Sequence, residues 1–177
     1  MHLILQLSLL AIVLTGGWMD LRSRKIPNWL NLSACILGFG LNTFLTHAAG
    51  FKLAGEGVGL ALLVYLPLYL IRAMGAGDVK FMAGIGALIG PENWLEVFLI
   101  TAILGGVASL CLIVARNRLH ATLSNLSTIT TELLAGRMPF HRDPSLDVRD
   151  KRALGLPHGT IIAISVCIFL VFLCRQP

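Results

Sequence analysis

Charged residues are scarce in this sequence and make up only 13% of its 177 residues. Soluble domains are closer to a quarter charged. Hydrophobic residues account for 56% of the chain, and its mean hydropathy is +0.81. The apolar runs also lack the polar face that a helix in a soluble protein carries. These absences exclude an ordinary soluble domain and predict a protein that spans a membrane.

Cysteine is also sparse, and its placement excludes the usual cysteine sites. The chain has four cysteines, with no CxxC pair and no paired-ligand spacing. All of them lie in apolar segments, where cysteine serves as a small apolar side chain. We therefore expect neither disulfides nor a zinc site, and we assign no metal and no cofactor.

The first residues lack the features of a removed signal peptide. Apolar residues follow Met1 and His2 without a basic region, and no small-residue cleavage site precedes Trp18. A secretory signal would carry both features. We expect the first apolar run to remain as a permanent helix.

The apolar runs predict an all-helical membrane bundle of about six transmembrane helices, forming a single domain over residues 1–177. A span of about 20 residues is usually needed to cross a bilayer, and residues 79–89 are too few. Either that helix begins before Asp78, or it is a partial or tilted helix buried among the others. The predicted spans cover approximately residues 3–18, 29–45, 58–71, 79–89, 95–115 and 159–173.

The connections between spans carry their own signals. Pro27 and Asn28 suit the start of the second helix. Residues 47–56 predict a loop of small residues, and residues 91–94 predict a turn. Residues 116–156 are polar and predict a cytoplasmic loop with one interfacial helix.

Positive charge is distributed unevenly between the two sides of the predicted bundle. If the spans alternate in direction, the loops after spans one, three and five are strongly basic, and the positive-inside rule makes them cytoplasmic. The N-terminus then lies outside, and Asp20 and Asp78 both lie at the cytoplasmic boundary. The net charge of +5 is explained without a nucleic-acid partner. The basic residues on this side are Arg22, Arg24, Lys25, Arg72, Lys80, Arg116, Arg118, Arg137, Arg142, Arg149, Lys151 and Arg152, against Lys52 and Arg175 on the other.

Two aspartates stand at the ends of apolar runs. Asp78 follows Gly75 and Gly77 at the threshold of a predicted helix, and Asp20 follows the first run. A carboxylate at a membrane helix is unfavourable unless it serves a function. Two neighbouring carboxyls share a proton, so that one can activate water while the other polarises a peptide carbonyl. We predict that Asp20 and Asp78 form the catalytic pair of a peptidase, with the glycines leaving room for a peptide backbone.

The motifs around both acids resemble the type IV prepilin peptidases, over nearly the whole chain and in order. The resemblance implies an aspartic endopeptidase of the bacterial inner membrane that cuts the basic leader from type IV prepilins or pseudopilins on the cytoplasmic side. Asp20 and Asp78 take the family's two catalytic positions. The matching residues are Asp20, Arg22, Ile26, Pro27 and Asn28; Gly75, Gly77, Asp78, Val79 and Lys80; and Leu156, Pro157, His158 and Gly159 before the last span.

Larger members of this family add a cytoplasmic segment with two CxxC pairs, implicated in zinc binding, and methylate the new N-terminus. This sequence has neither those cysteines nor that length, so it resembles the short, peptidase-only members associated with Flp-type tight-adherence pili. The resemblance implies a prepilin substrate and membrane lipid as partners, with no nucleic acid. N-methylation, the identity of the pilin and the oligomeric state stay open.

Other interpretations of the same residues also stay open. Asp20 can cap a helix or pair with Arg22 or Arg24, and Asp78 can be the N-cap of the helix that follows it. Lys80 can bias the pKa of the acid pair or bind lipid phosphate. A small ion-coupled or proton-coupled transporter also keeps acids in the membrane, although nearer mid-span and in a repeated pattern. A scaffold of a secretion system needs no acid, so neutral replacement of both aspartates separates these functions.

Overall fold

The structure is a computed structural model that describes residues 1–117, 119–135 and 156–174. Within these ranges the chain is all-helical, which confirms that part of the predicted fold class. The first three helices are long and apolar enough to cross a membrane, and the last is a shorter apolar helix. The helices are α1 (Leu3–Ser23), α2 (Asn28–Leu70), α3 (Ala76–Ala115), α4 (Leu119–Leu134) and α5 (His158–Leu173).

Helix α2 is a hairpin rather than a straight rod. The backbone leaves helical geometry at Thr46 and His47, where His47 has φ 55° and ψ −131°. The rings of Phe39 and Phe51 lie 5.2 Å apart, whereas residues so far apart in a straight helix would be separated by about 18 Å. A Cβ on Gly50 would also collide with the Asn42 carbonyl. The chain therefore reverses at residues 46–47.

Helix α3 reverses in the same way at Gly90. This glycine has φ 76° and ψ 176°, a conformation essentially restricted to glycine. Pro91 suits the first position of the helix that follows, because an amide hydrogen at that position would have no helical partner and proline loses nothing by lacking one. Across the reversal, the indole Nε1 of Trp94 donates a hydrogen bond to the Met82 carbonyl at 3.0 Å. Residues 76–89 and 91–115 thus pack against each other.

The first half of α3 forms the centre of the bundle. Residues 81–90 are all buried, and α1, α2, α5 and the second half of α3 surround them. Glycines allow these helices to approach closely: a Cβ on Gly84 would lie 2.7 Å from the Ala34 Cβ, and one on Gly86 would collide with Gly57. Close packing of small residues is a common way to associate helices in membranes.

Three predicted connections are wrong. α1 continues to Ser23, so Asp20 and Arg22 are helical rather than part of a loop. The helix continues because Met, Leu and Arg favour it and no proline intervenes before Pro27. Residues 48–56 and 91–94 are helical too, since each reversal is made by one or two residues with unusual dihedral angles.

Other expectations agree with the structure. α2 begins at Asn28 with Pro27 as its N-cap residue. Of the two alternatives for residues 79–89, the first is confirmed, because α3 begins at Ala76, before Asp78. The polar stretch after α3 contains α4, but its placement at a membrane surface stays a prediction. Residues 136–155 of that loop lie outside the described residues.

The outer surface of the bundle is rich in large apolar side chains. Leu7, Leu14, Phe44, Leu63 and Phe172 are each more than half exposed. Such a surface is unfavourable in water but suits contact with lipid tails. It supports a membrane location for the helices that carry it.

Candidate active site

Asp20 lies in the last turn of α1 and is buried, with 6% of its surface exposed. Its Oδ2 accepts a hydrogen bond from the backbone amide of Thr160 at 3.2 Å. Thr160 belongs to the first turn of α5, whose amides form the positive end of the helix dipole. The same amide also donates to the Pro157 carbonyl at 3.2 Å. Asp20 therefore caps a helix, as one interpretation anticipated, but the helix is α5, from the other end of the sequence.

The residues that open α5 allow this close approach. A Cβ on Gly159 would lie 3.1 Å from both the Cβ and the Cγ of Asp20, and 2.8 Å from the Ile26 Cδ1. The Thr160 hydroxyl donates a hydrogen bond to the Gly17 carbonyl at 3.0 Å, which ties α5 to α1 a second time. Pro157 is the N-cap residue of α5. The segment from Leu156 to Thr160 thus packs directly on the acid of α1.

Asp78 is the third residue of α3 and is half-buried. The N-cap position belongs to Gly75, so the interpretation of Asp78 as the N-cap residue is wrong in position. Its carboxylate instead reaches back and accepts a hydrogen bond from the backbone amide of Gly75. This is the contact made by the acidic third residue in a capping box.

The structure brings Asp20 and Asp78 to the same end of the bundle. Their carboxyl groups lie close enough for their charges to interact. Ile26, in the short loop between α1 and α2, packs against the starts of α5 and α3: its Cδ1 lies 2.8 Å from the position of a Gly159 Cβ, and its Cβ lies 3.8 Å from where a Gly77 Cβ would be. Ile26 therefore lies at ordinary contact distance beside Gly77, and the approach of a peptide backbone at this glycine stays a prediction.

The basic residues of the motifs have separate roles in the structure. The Lys80 Nζ donates a hydrogen bond to the Asn28 Oδ1 at 3.0 Å, which joins the start of α3 to the start of α2. Arg22, Arg24 and Lys25 are exposed around the end of α1. Lys80 therefore has a partner within the protein, which neither of its two earlier interpretations included.

A cavity of about 380 Å³ opens beside Asp78. It lies between the starts of α3 and α5 and the second half of α3, and small and polar side chains make up much of its wall. Its volume is within the range of about 300–1,000 Å³ that is usual for ligand pockets. The residues that line it include Gly75, Asp78, Ala102, Gly105, Ser109 and His158.

A second recess is an apolar groove of about 490 Å³ between α1 and α5. Leu14, Trp18, Ile164 and Phe172 are among the residues that line it. One end includes Thr160, which binds Asp20. The two acids thus adjoin different recesses, a mixed polar cavity at Asp78 and an apolar groove at Asp20.

Sequence reasoning missed two neighbours of the acids. Thr160 follows a recognised motif directly, and that adjacency was the available signal. Tyr65 gave no signal: it is 2% exposed within α2, yet it lies within electrostatic range of Asp78. Its ring packs edge-on against Trp94 with the centroids 6.0 Å apart. Tyr65 thus connects the surroundings of Asp78 to the aromatic ring of Trp94.

A metal centre finds no support in the described parts of the chain. In residues 1–117, 119–135 and 156–174, no three His, Cys, Asp or Glu side chains come together as a metal site would require.

Residues 7–110, which include both acids, match the model of the type IV leader peptidase family. A prepilin leader peptidase/N-methyltransferase from Xanthomonas campestris pv. campestris is 31% identical over 122 residues, which is 66% of this chain and 42% of that protein. The chain therefore spans less than half the length of this relative. No solved structure matches the chain.

Proposed function

Because this chain belongs to the type IV leader peptidase family, we propose that it is an aspartic endopeptidase that removes the basic leader from prepilins or pseudopilins, with Asp20 and Asp78 as its acid pair. The relative from Xanthomonas campestris carries a name with two activities, and we extend only the leader peptidase activity to this chain. Flp-type prepilins are the substrates to test first, because the sequence resembles the short members associated with them.

The placement of the two acids carries this proposal. Asp20 and Asp78 come from different helices, yet they lie within electrostatic range of each other, and Asp78 opens onto a cavity of ligand size. The negative charge of one carboxyl favours the protonated form of the other, so one acid can stay protonated while its neighbour is ionised. Supporting roles fall to Arg22, Pro27, Asn28, Gly75, Gly77, Lys80, Pro157 and Gly159, which shape or flank the segments that bear the acids.

In the proposed mechanism, a water molecule binds between the two carboxyl groups. The ionised acid removes a proton from the water as its oxygen attacks the carbonyl carbon of the scissile bond, while the protonated acid polarises the carbonyl oxygen. The C–N bond then breaks, and the nitrogen takes up a proton. The leader leaves with a new carboxyl end, and the pilin keeps a new amino terminus.

We further propose that the chain crosses the inner membrane six times. α1, the two halves of α2, the two halves of α3 and α5 make up this count, which the reversals at residues 46–47 and at Gly90 support. Residues 76–89 extend over about 21 Å, less than the roughly 30 Å of a bilayer core. Their central position suits this shortfall, because a segment surrounded by protein need not contact lipid.

The cytoplasm is the proposed location of the acids. The loops at their end of the bundle carry Arg24, Lys25 and Arg72, whereas Lys52 follows the reversal at the opposite end of α2. The positive-inside rule therefore favours this orientation. Prepilin leaders would meet the site from the cytoplasmic side, with the apolar helix of the prepilin lying in the membrane.

Cleavage of a co-expressed Flp-type prepilin in membranes tests the proposal. Asp20→Asn and Asp78→Asn should each lower the cleavage rate by at least about 100-fold, since general acid–base catalysis contributes about 10²–10⁴-fold. Glu56→Gln is the matched control. It also replaces a carboxylate by an amide, but at an exposed position where Glu56 lies 3.6 Å from Lys52, and it should cleave like the wild type.

The amount of each variant in the membrane is measured alongside cleavage. If either aspartate variant cleaves at the wild-type rate, that acid is structural and the two-aspartate mechanism is wrong. If the wild type cleaves none of several prepilins, the peptidase proposal fails. The transporter alternative would then require ion flux that both variants lose, and the scaffold alternative would require assembly that both variants keep.

A further inference from the structure

His158 carries a polar atom that the folded chain leaves unused. Its Nε2 is buried and has no hydrogen-bond partner among the described residues. A buried polar group without a partner is unfavourable, and in a native structure it calls for an explanation. A ligand that enters the site and completes the hydrogen bond is one such explanation.

The position of this side chain points to the candidate active site. His158 lines the cavity beside Asp78, and the charge of Asp20 reaches its ring. It is also the residue just before Gly159, which packs against Asp20. His158 therefore adjoins both acids, on the side from which a substrate in the cavity would approach them.

The opposite wall of the same cavity is open. A Cβ on Gly105 or Gly106 would meet no atom within 4 Å, so these positions have free space in front of them. Gly105 and Gly106 belong to the second half of α3, across the cavity from the start of α5. A peptide backbone that passes between them and His158 would run alongside Asp78.

We propose that His158 is a substrate-binding residue whose Nε2 hydrogen-bonds the peptide backbone of the prepilin segment that occupies the cavity beside Asp78. This inference rests on the proposed peptidase function. An imidazole nitrogen can donate to a carbonyl or accept from an amide, according to its tautomer, and a peptide backbone offers both groups. The substrate thus supplies the partner that the free protein lacks.

The alternative is that His158 only fills space at the start of α5. The two roles make opposite predictions for His158→Phe, which keeps an aromatic ring but removes both nitrogens. Removing an unpaired buried polar atom is neutral or favourable for the free protein. A substrate-binding role therefore predicts that His158→Phe is at least as thermally stable as the wild type and still cleaves poorly.

The first experiment measures KM, kcat and Tm for wild type, His158→Phe, His158→Gln and His158→Asn, with a purified Flp-type prepilin and the enzyme in lipid nanodiscs. His158→Phe should raise KM by about tenfold, the effect of losing one hydrogen bond to the substrate, with Tm unchanged or higher. His158→Gln should restore most of the affinity, because its amide reaches the position of Nε2. His158→Asn should not, because its shorter amide corresponds to Nδ1.

A second pair of variants tests the cavity itself. Gly105→Val would fill the free space opposite His158 and should raise KM by a similar factor. Gly40→Val is the matched control, because Gly40 on α2 also has no atom within 4 Å of an added Cβ but lies outside the cavity. It should cleave like the wild type, and all variants should insert equally.

Each outcome decides the inference. A wild-type KM in His158→Phe or in Gly105→Val would overturn it, and so would a loss of affinity in His158→Phe that parallels a fall in Tm. In these cases the wild type still cleaves, so the peptidase proposal survives. If the wild type itself cleaves no prepilin, the peptidase proposal fails and the inference fails with it.

Discussion

Asp20 and Asp78 reach the same site by different means. Asp20 is buried, and its carboxylate binds the amide of Thr160, a residue 140 positions away in the sequence. Asp78 is half-buried, and its carboxylate binds the amide of Gly75, three residues away. The first acid is therefore positioned by the packing of two distant helices, and the second by the first turn of its own helix. The distant side of the site, at Asp20, therefore depends on tertiary packing. The local side, at Asp78, depends mainly on residues that are near it in the sequence.

The largest expected effect comes from a substitution on the distant side of the site, where α5 packs against Asp20. In Gly159→Ala, the new Cβ would lie 3.1 Å from two atoms of Asp20 and 2.8 Å from Ile26, so Asp20 must move. Displacing a reacting group by about 1 Å can lower a rate by about 100-fold, and we expect a loss of that order in prepilin cleavage. Gly75→Ala, the corresponding change on the local side, should lower the rate by only about threefold, since its Cβ would lie 3.4 Å from the Asp78 Oδ2, an ordinary contact.

Initial cleavage rates in membranes, normalised to the amount of inserted protein, check this prediction. Gly55→Ala, at an open position on α2 where an added Cβ meets no atom within 4 Å, is the control for a glycine substitution in a helix. Equal losses at Gly159 and Gly75 would mean that the two acids do not differ in how they are positioned.

A smaller effect should separate the two hydrogen bonds that Thr160 makes. Thr160→Pro removes the amide hydrogen that binds Asp20 together with the hydroxyl that binds Gly17, at a position in the first turn of a helix where proline is tolerated. A hydrogen bond to a charged group contributes about 1.5–3 kcal/mol, so we expect cleavage to fall by at least about tenfold. Thr160→Val keeps the amide and removes only the hydroxyl bond to Gly17, and its rate should fall by about twofold. The idea is wrong if the valine variant loses as much activity as the proline variant.

The smallest effect concerns the hydrogen bond between Lys80 and Asn28. Lys80→Met and Asn28→Ala each remove this 3.0 Å contact between α3 and α2. Because it is an exposed interaction, each should lower the free energy of unfolding by about 1 kcal/mol or less. The double variant should lose less stability than the sum of the losses of the two single variants, because each single variant already removes the shared hydrogen bond. Unfolding in nanodiscs, followed by tryptophan fluorescence, measures these values, and strictly additive losses would show that the two side chains do not interact.

Much of the local side of the site could be predicted from the sequence. Gly75 and Asp78 form a contiguous motif, and the start of α2 at Asn28 follows from Pro27 just before it. The all-helical class followed from the apolar runs, because a membrane interior favours helices that satisfy their own backbone. These features could be predicted because each depends on residues that are close together in the sequence.

The distant side could not be predicted with the same detail. The contact between Asp20 and Thr160 depends on how α1 packs against α5, and no local pattern encodes that packing. The reversal after residue 45 was predicted as a loop over residues 47–56 and not as a tight one at Thr46 and His47, because a non-glycine residue with φ 55° is not signalled by its residue type. Asp20 was assigned to a loop since the last turn of α1 is no longer apolar, yet its residues still favour a helix.

The bond between Asp20 and Thr160 also has a consequence for biosynthesis. Ribosomes make a chain from its N-terminus, and early segments can fold before later ones exist. Residues 7–110 contain both acids, but Thr160 is synthesised about fifty residues after the end of that stretch. A nascent chain can therefore bring α1, α2 and α3 together while Asp20 still lacks its amide partner. Arrival of α5 supplies that partner, so the proposed peptidase activity would begin only once α5 has joined the bundle.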